Sequence, residues 1–226
     1  MAFELKNTVP WGRTLEEYKN IFNLSETDLE KKIISFGDGP ASFNSEMTML
    51  GKSVTSIDPI YQFSKHDLEN HIDKTRLIVM KQTRENKDAF IWTSIANVDE
   101  LEKIRMNAMK SFIEDFEKGV NQKRYITHEL PDQLDFEEQS FELGLSSHFL
   151  ILYSELGIDF HIKSISEMLR LCKEVRIFPL LNLNAKISEV LEGIIDYFSN
   201  EYEVQIETVG YEFQKGGDKM MRITKK

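Results

Sequence analysis

The sequence predicts an α/β domain: a mostly parallel β-sheet covered by helices on both faces and finished by an antiparallel C-terminal hairpin. Three observations predict it. Short β-rich runs alternate with amphipathic helical stretches along the chain, and parallel strands require such crossovers. The first β-rich run stops abruptly at Gly37-Asp38-Gly39-Pro40 and leads straight into a helix. The last two β-rich runs follow each other with no helical stretch between them, which reads as a hairpin.

In chain order, Thr14 with Glu17 has the form of a capping box, and Leu15, Tyr18, Ile21 and Phe22 follow at helical spacing, so a first helix starts near Leu15. A short helical turn at 25–30 precedes the β-rich run 32–36 and its glycine turn. Residues 42–50 form the next helix, with Phe43, Met47 and Leu50 inward and Gly51 at its C-terminal stop. The run 53–57 is a second strand that ends at Asp58-Pro59. Two long amphipathic helices are expected at about 65–87 (Leu68, Ile72, Thr75, Val79) and 98–118 (Leu101, Ile104, Ala108, Phe112, Phe116). Strands at 125–128 and 141–146 follow, then a helical stretch through Leu171, and Cys172 sits in that helical pattern and reads as a buried small apolar side chain, not a nucleophile. The apolar strand 175–178, a helix at about 187–198, and strands 202–209 and 219–224 complete the chain.

At 226 residues we read 1–226 as a single domain with a helical insertion at about 63–121. An insertion of that size commonly builds a lid or acceptor pocket, and its Phe90, Trp92, Met106, Met109, Phe112 and Phe116 either line such a pocket or simply bury one helix against the other. Hydrophobic residues at 41% and charged residues at 29% suit a globular protein. The net charge of −10 disfavours an electrostatic grip on a nucleic-acid backbone and points to a small-molecule substrate. Residues 1–13 lack the basic start and apolar run of a secretion signal, and no apolar stretch approaches the ~20 residues of a membrane span. With a lone Cys172 unable to form an internal disulfide, a cytoplasmic location is expected.

The glycine turn carries the chemistry. Gly37 and Gly39 let the backbone approach a ligand closely, and the helix that follows presents unpaired N–H groups. Asp58, with Pro59 after it, ends the second strand, where a carboxylate can accept both hydroxyls of a ribose. Together they describe an adenosine-type pocket. A dinucleotide fingerprint would need Gly or Ala at the position held by Ser42, which disfavours a nicotinamide-dependent oxidoreductase.

The run Ser35-Phe36-Gly37-Asp38-Gly39-Pro40-Ala41 resembles the first motif of class I S-adenosylmethionine-dependent methyltransferases, an acid followed by G-x-G-x-G. The resemblance covers nearly the whole chain in element order. Through Trp11-Gly12-Arg13, the run 37–44, Ser147-His148-Phe149-Leu150 and Tyr211-Glu212-Phe213-Gln214, the chain is also similar to uncharacterised bacterial proteins of that superfamily. The resemblance implies a Rossmann-like sheet, S-adenosyl-L-methionine as cofactor, Gly37, Asp38, Gly39, Pro40 and Ala41 at its methionine end, and Asp58 and Pro59 at its ribose. It further implies that His128 and Glu129 lie near the adenine and that Ser146, Ser147 and His148 face the methyl group. Two positions depart from the motif: Ser35 stands where the family has its acid, and Ala41 where it has the third glycine.

Methyl transfer demands chiefly alignment in a dry, close geometry, so few side chains are obligatory. His148 is the candidate base, with a hydrogen-bonded structural histidine as the alternative; Tyr153, Tyr61 and Glu129 come after it. Trp11 and Arg13 read either as a lid or as ordinary helix packing. His66 and His71 are five apart, H-E-x-x-H is absent, and one cysteine cannot build a thiolate site, so no metal is expected. The hydrolase elbow, the phosphate loop and the N-P-P-Y type motif are absent as well. The sequence therefore points to a methyltransferase for a small molecule, with a noncatalytic nucleoside-binding protein as the alternative that Ser35 would permit.

Overall fold

The computed structural model describes residues 11–226. The first ten residues, on which most of the secretion-signal reading rests, lie outside them. The chain runs α1 (Leu15–Ile21), β1 (Ile33–Phe36), α2 (Phe43–Met49), β2 (Val54–Ile57), α3 (Lys65–Glu85), α4 (Val98–Asn121), β3 (Tyr125–Ile126), β4 (Phe141–Ser147), α5 (Ile158–Leu171), β5 (Cys172–Phe178), α6 (Leu191–Phe198), β6 (Tyr202–Thr208) and β7 (Lys219–Lys225). The strands form one seven-stranded sheet in the order β3-β2-β1-β4-β5-β7-β6. The first five in that order are parallel, and β7 runs antiparallel to both β5 and β6. This is the Rossmann-like arrangement with a terminal hairpin that the sequence predicts.

All four residues of β1 are buried, because helices cover the sheet on both sides. Ile33 and Val54 pack with Tyr18, Phe22, Phe43 and Met47 beneath α1 and α2. Ile34, Phe36 and Ile57 face the other way, into the core under α5 and α6 with Ile165, Met168 and Ile194. The alternation puts Ser35 on the α1/α2 side, which matters at the site. A third cluster joins α3 and α4 to β3 through Leu68, Ile72, Phe112, Phe116 and Tyr125. Thr14 and Glu17 do form the capping box that starts α1.

Some elements differ from expectation. Cys172 is the first residue of β5, not part of a helix: α5 passes into the strand without a loop, so helical spacing runs up to the junction. It is buried, and burial pushes its thiol well above the ordinary value. The last helix begins at Leu191 instead of near Ile187, because Ile187 bridges to Leu181 and the Asn182 side chain accepts the N–H groups of Asn184 and Lys186. The segment 25–30 tightens into a single 3-10 turn, Asp28–Glu30. β3 stops after two residues, leaving His128 in the loop beyond it. No helix of the described residues is long and apolar enough to cross a membrane.

Candidate active site

The parallel strands all end on one edge, and β1 has β2 on one side and β4 on the other. Connections diverge at that point and leave a crevice outside the strand ends. The Gly37 and Asp38 N–H groups both donate to the Ile57 carbonyl (2.8 and 3.3 Å), which pins the glycine turn against the end of β2. Gly37 and Gly39 have φ of +63° and +55°, values that disfavour any side chain. A Cβ at Gly37 would also stand 2.6 Å from the Phe149 ring.

A cavity of about 270 Å³ opens over this edge. Gly37, Asp38, Gly39 and Ala41 line it from the turn, and Asp58 and Pro59 from the end of β2. His128 and Glu129 come from beyond β3, Ser147 and His148 from the end of β4. Two expected residues do not reach it. Ser146 is wholly buried with its hydroxyl unpaired, because neighbouring strand residues point to opposite faces and Ser147 takes the cavity side. Pro40 is buried beneath Gly12 and does not line the cavity.

Asp58 caps the turn after β2. Its Oδ1 accepts the Ile60 N–H (2.9 Å) and its Oδ2 accepts the Gly39 N–H (2.8 Å), so one carboxylate ties the two strand ends together. Burial pushes its pKa up to about 6 against these two bonds, with the nearby carboxylates of Asp38 and Glu129 adding to the rise. Each oxygen keeps a lone pair for a further donor.

Asp38 is turned toward the α1/α2 face. Its Oδ1 accepts from the hydroxyls of Tyr18 and Ser35, and its Oδ2 accepts from Ser56. Burial raises its pKa, and the three hydroxyls work against the rise. The acid nearest to Ser35 in the turn is thus Asp38, three residues later, which accepts that serine's own hydroxyl. Tyr61, from the turn after β2, donates to the Gly39 carbonyl (2.8 Å) and braces the loop from the other side.

His148 has φ +54°, an uncommon backbone state for a residue with a side chain and one that clusters at functional sites. Its N–H donates to the Phe178 carbonyl (2.6 Å), and its Nδ1 lies 2.8 Å from the Ser147 hydroxyl. Burial holds the imidazole well below its usual pKa, and the charges of Arg13 and Arg105 push it further down. The neutral imidazole is therefore the favoured form.

A buried polar cluster lies behind it that the sequence reading missed. Glu17 pairs with Arg105 of α4, and the Tyr211 hydroxyl lies 3.4 Å from both Arg105 Nη2 and Glu17 Oε1. Arg105 sits on the buried stripe of α4 between Leu101 and Met109, and is 1% exposed. A charged residue on an apolar helix face was the available signal; the spacing had placed Ile104 there instead. Arg13 and Trp11 line the cavity too. The strap they belong to is fixed to the glycine turn by the Ser42 N–H on the Arg13 carbonyl (3.0 Å) and by Glu46 on the Leu15 N–H (3.1 Å). A Cβ at Gly12 would meet the Pro40 carbonyl oxygen at 2.0 Å, backbone against backbone. Gly12→Ala is expected to cost about 1–3 kcal/mol, read as a lower urea midpoint; an unchanged midpoint would show the strap to be loosely seated. Among the described residues, no group of three or more His, Cys, Asp or Glu is placed to hold a metal ion.

No family model matches the chain. The uncharacterized protein MJ0045 of Methanocaldococcus jannaschii is 39% identical over 221 residues, which is 97% of this chain and 97% of that protein. The chain belongs to that protein's family. This relative is archaeal, where the motif resemblance pointed to a bacterial group. Among solved structures, magnesium protoporphyrin IX methyltransferase from Synechocystis PCC 6803 is 12% identical with a TM-score of 0.45, covering 94% of this chain and 74% of that one. A SAM-dependent methyltransferase from Methanosarcina mazei is 13% identical with a TM-score of 0.46, covering 90% and 94%. An rRNA methylase from Escherichia coli is 12% identical with a TM-score of 0.40, covering 93% of this chain and 62% of its own.

Proposed function

We propose that the protein is an S-adenosylmethionine-dependent methyltransferase acting on a small molecule. The observation that carries this is Asp58, a carboxylate at the end of β2 that holds the glycine turn through Gly39 and keeps acceptor capacity for two more hydroxyls. The lining of the cavity beside it supports a place for the rest of such a cofactor. Gly37, Asp38, Gly39 and Ala41 would hold the methionine end, Asp58 and Pro59 the ribose, and His128 and Glu129 the adenine edge. Bound there, the cofactor supplies a methyl group on a positively charged sulfur.

The chain's own part is alignment and proton handling. The strap through Trp11 and Arg13 and the helix α4 close over the strand ends and exclude water. Ser147 orients the His148 ring through Nδ1, which leaves Nε2 to take a proton from the acceptor. The net charge of −10 and the mostly apolar lining of the cavity favour a small acceptor over a polynucleotide. Ser35 in place of the motif acid, with Asp38 engaged by three hydroxyls, favours a second reading in which the pocket binds the nucleoside and has lost turnover.

Calorimetric titration with S-adenosylmethionine, S-adenosylhomocysteine and NAD, repeated on Asp58→Ala, tests the proposal. Micromolar binding of the first two is expected, weakened by about 10- to 100-fold in the variant, as for loss of charge-assisted hydrogen bonds. No binding of either would sink the reading, and a preference for NAD would turn it to a nicotinamide enzyme. Binding with no turnover across an acceptor screen would favour the noncatalytic protein.

A further inference from the structure

The cavity holds more positive than negative charge on the side of α4. Arg13 and Arg105 both line it, and Glu17 behind them is matched to Arg105. Arg13 forms no ion pair with any described residue. Its Nη1 donates to the Trp11 carbonyl (3.2 Å), its guanidinium also meets the Tyr211 hydroxyl, and its Nε, like that of Arg105, is shielded from water without an acceptor. A guanidinium partly withdrawn from water and short of a counter-charge is costly unless something anionic completes it. In a chain of net charge −10 this is not a surface patch that draws in anions from a distance; it is a local deficit of negative charge on one side of the cavity. The walls around it are apolar and aromatic: Val79, Leu101, and Phe90 stacked on Phe213 at 4.7 Å.

We propose that Arg13 and Arg105 bind the carboxylate of an aromatic or similarly apolar methyl acceptor, seated against α4 and the segment after β6, beside His148. The inference deepens the methyltransferase reading and rests on it for the word acceptor; the anion centre itself does not. The donor's methionine end also carries a carboxylate. The centre is assigned to the acceptor because Arg105 and its partner Tyr211 come from α4 and the β6–β7 connection, neither of which belongs to the strand ends that would hold the donor. Arginine suits the task because its planar fork matches a carboxylate with two parallel bonds.

A bound carboxylate also alters His148. The charged and titratable groups around the imidazole are Arg13, Glu17 and Tyr18 at the N-terminal strap and α1, Arg105 on α4, Tyr211, and Asp38 behind Tyr18. The two arginines oppose the imidazolium, so an anion placed on them favours it. The acceptor would thereby raise the basicity of the group positioned to take its proton.

The test uses benzoate and its neutral isostere benzamide as probes, titrated calorimetrically with and without saturating S-adenosylhomocysteine. Benzoate is expected to bind at least tenfold more tightly than benzamide, and Arg13→Met is expected to abolish that preference while changing the affinities for S-adenosylhomocysteine and methylthioadenosine by the same factor. On the wild-type protein, NMR of labelled histidine, assigned with His148→Gln, should show His148 titrating at higher pH once benzoate is bound. Equal affinity for the two probes, or an unmoved His148, overturns the proposal. So does an Arg13→Met variant that loses affinity for S-adenosylhomocysteine but not for methylthioadenosine, which lacks the carboxylate; that would put the donor's carboxylate at Arg13. A benzoate preference that persists when S-adenosylhomocysteine fails to bind supports the anion centre and removes the methyltransferase reading alone.

Discussion

Arg105→Ala is expected to destabilise the protein by about 3–5 kcal/mol, the usual cost of leaving a buried partner charge unpaired. For a chain of this size that corresponds to a fall in melting temperature on the order of 10 °C. The loss comes from Glu17. Burial alone would raise its pKa, but the charge and hydrogen bond of Arg105, then the charge of Arg13, more than offset this and hold the carboxyl below its ordinary range. Without Arg105 the carboxylate keeps its desolvation penalty and loses its closest counter-charge. A Glu17→Gln/Arg105→Met double variant should recover part of the loss, since it removes both charges together. The pH dependence has a definite sign: a depressed carboxyl stabilises the fold above its unfolded pKa of roughly 4 and loses that contribution as pH falls through the folded value. Wild-type protein should therefore lose stability on acidification below about pH 4, and the double variant should lose less. Calorimetric melting from pH 3 to 8 checks both, and an Arg105→Ala melting temperature within a degree or two of wild type would show the pair to be energetically idle.

That cluster also marks the limit of what the sequence discloses. The glycine turn, Asp58 and the ends of β3 and β4 were legible because each follows a strand, and in a parallel sheet all strand ends of one direction meet at one edge. The partners Glu17 and Arg105 are 88 residues apart, and Arg105 and Tyr211 are 106 apart. Nothing local links them; only the packing of α4 across α2 and the return of the chain after β6 does. Ser35 was legible as a departure from the motif, but the partner its hydroxyl takes was not. That Asp38 turns back onto Ser35, Ser56 and Tyr18 depends on β1 alternation and on where α1 lies. Likewise Ser146 and Ser147 are equivalent in composition, and only strand phase decides which one meets the cavity. The helix-to-strand junction at Cys172 escaped because no turn residue separates α5 from β5.

S-adenosylhomocysteine is expected to bind roughly tenfold more weakly at pH 5 than at pH 7.5, because the carboxylate proposed to receive its ribose is the protonation-sensitive group. Asp58 has its pKa pushed up to about 6, first by burial and then by Asp38 and Glu129. In the free protein the sign runs against ionisation: a raised carboxyl contributes stability that is fully present below its unfolded value near 4 and is lost as pH rises through 6, a difference of about 3 kcal/mol for a shift of this size. Ribose hydroxyls reverse the preference, since they donate to the charged form and replace water that burial removed. Binding must therefore release a proton below pH 6, and affinity must fall about tenfold for each pH unit below that point. Titrations at pH 5.5 in buffers of different ionisation enthalpy would report the released proton directly, and Asp58→Asn, uncharged at every pH, should bind weakly with a flat profile. A wild-type affinity that does not change between pH 5 and 7.5 would mean that the ligand does not rest on Asp58, and the ribose would have to be sought elsewhere along the strand ends.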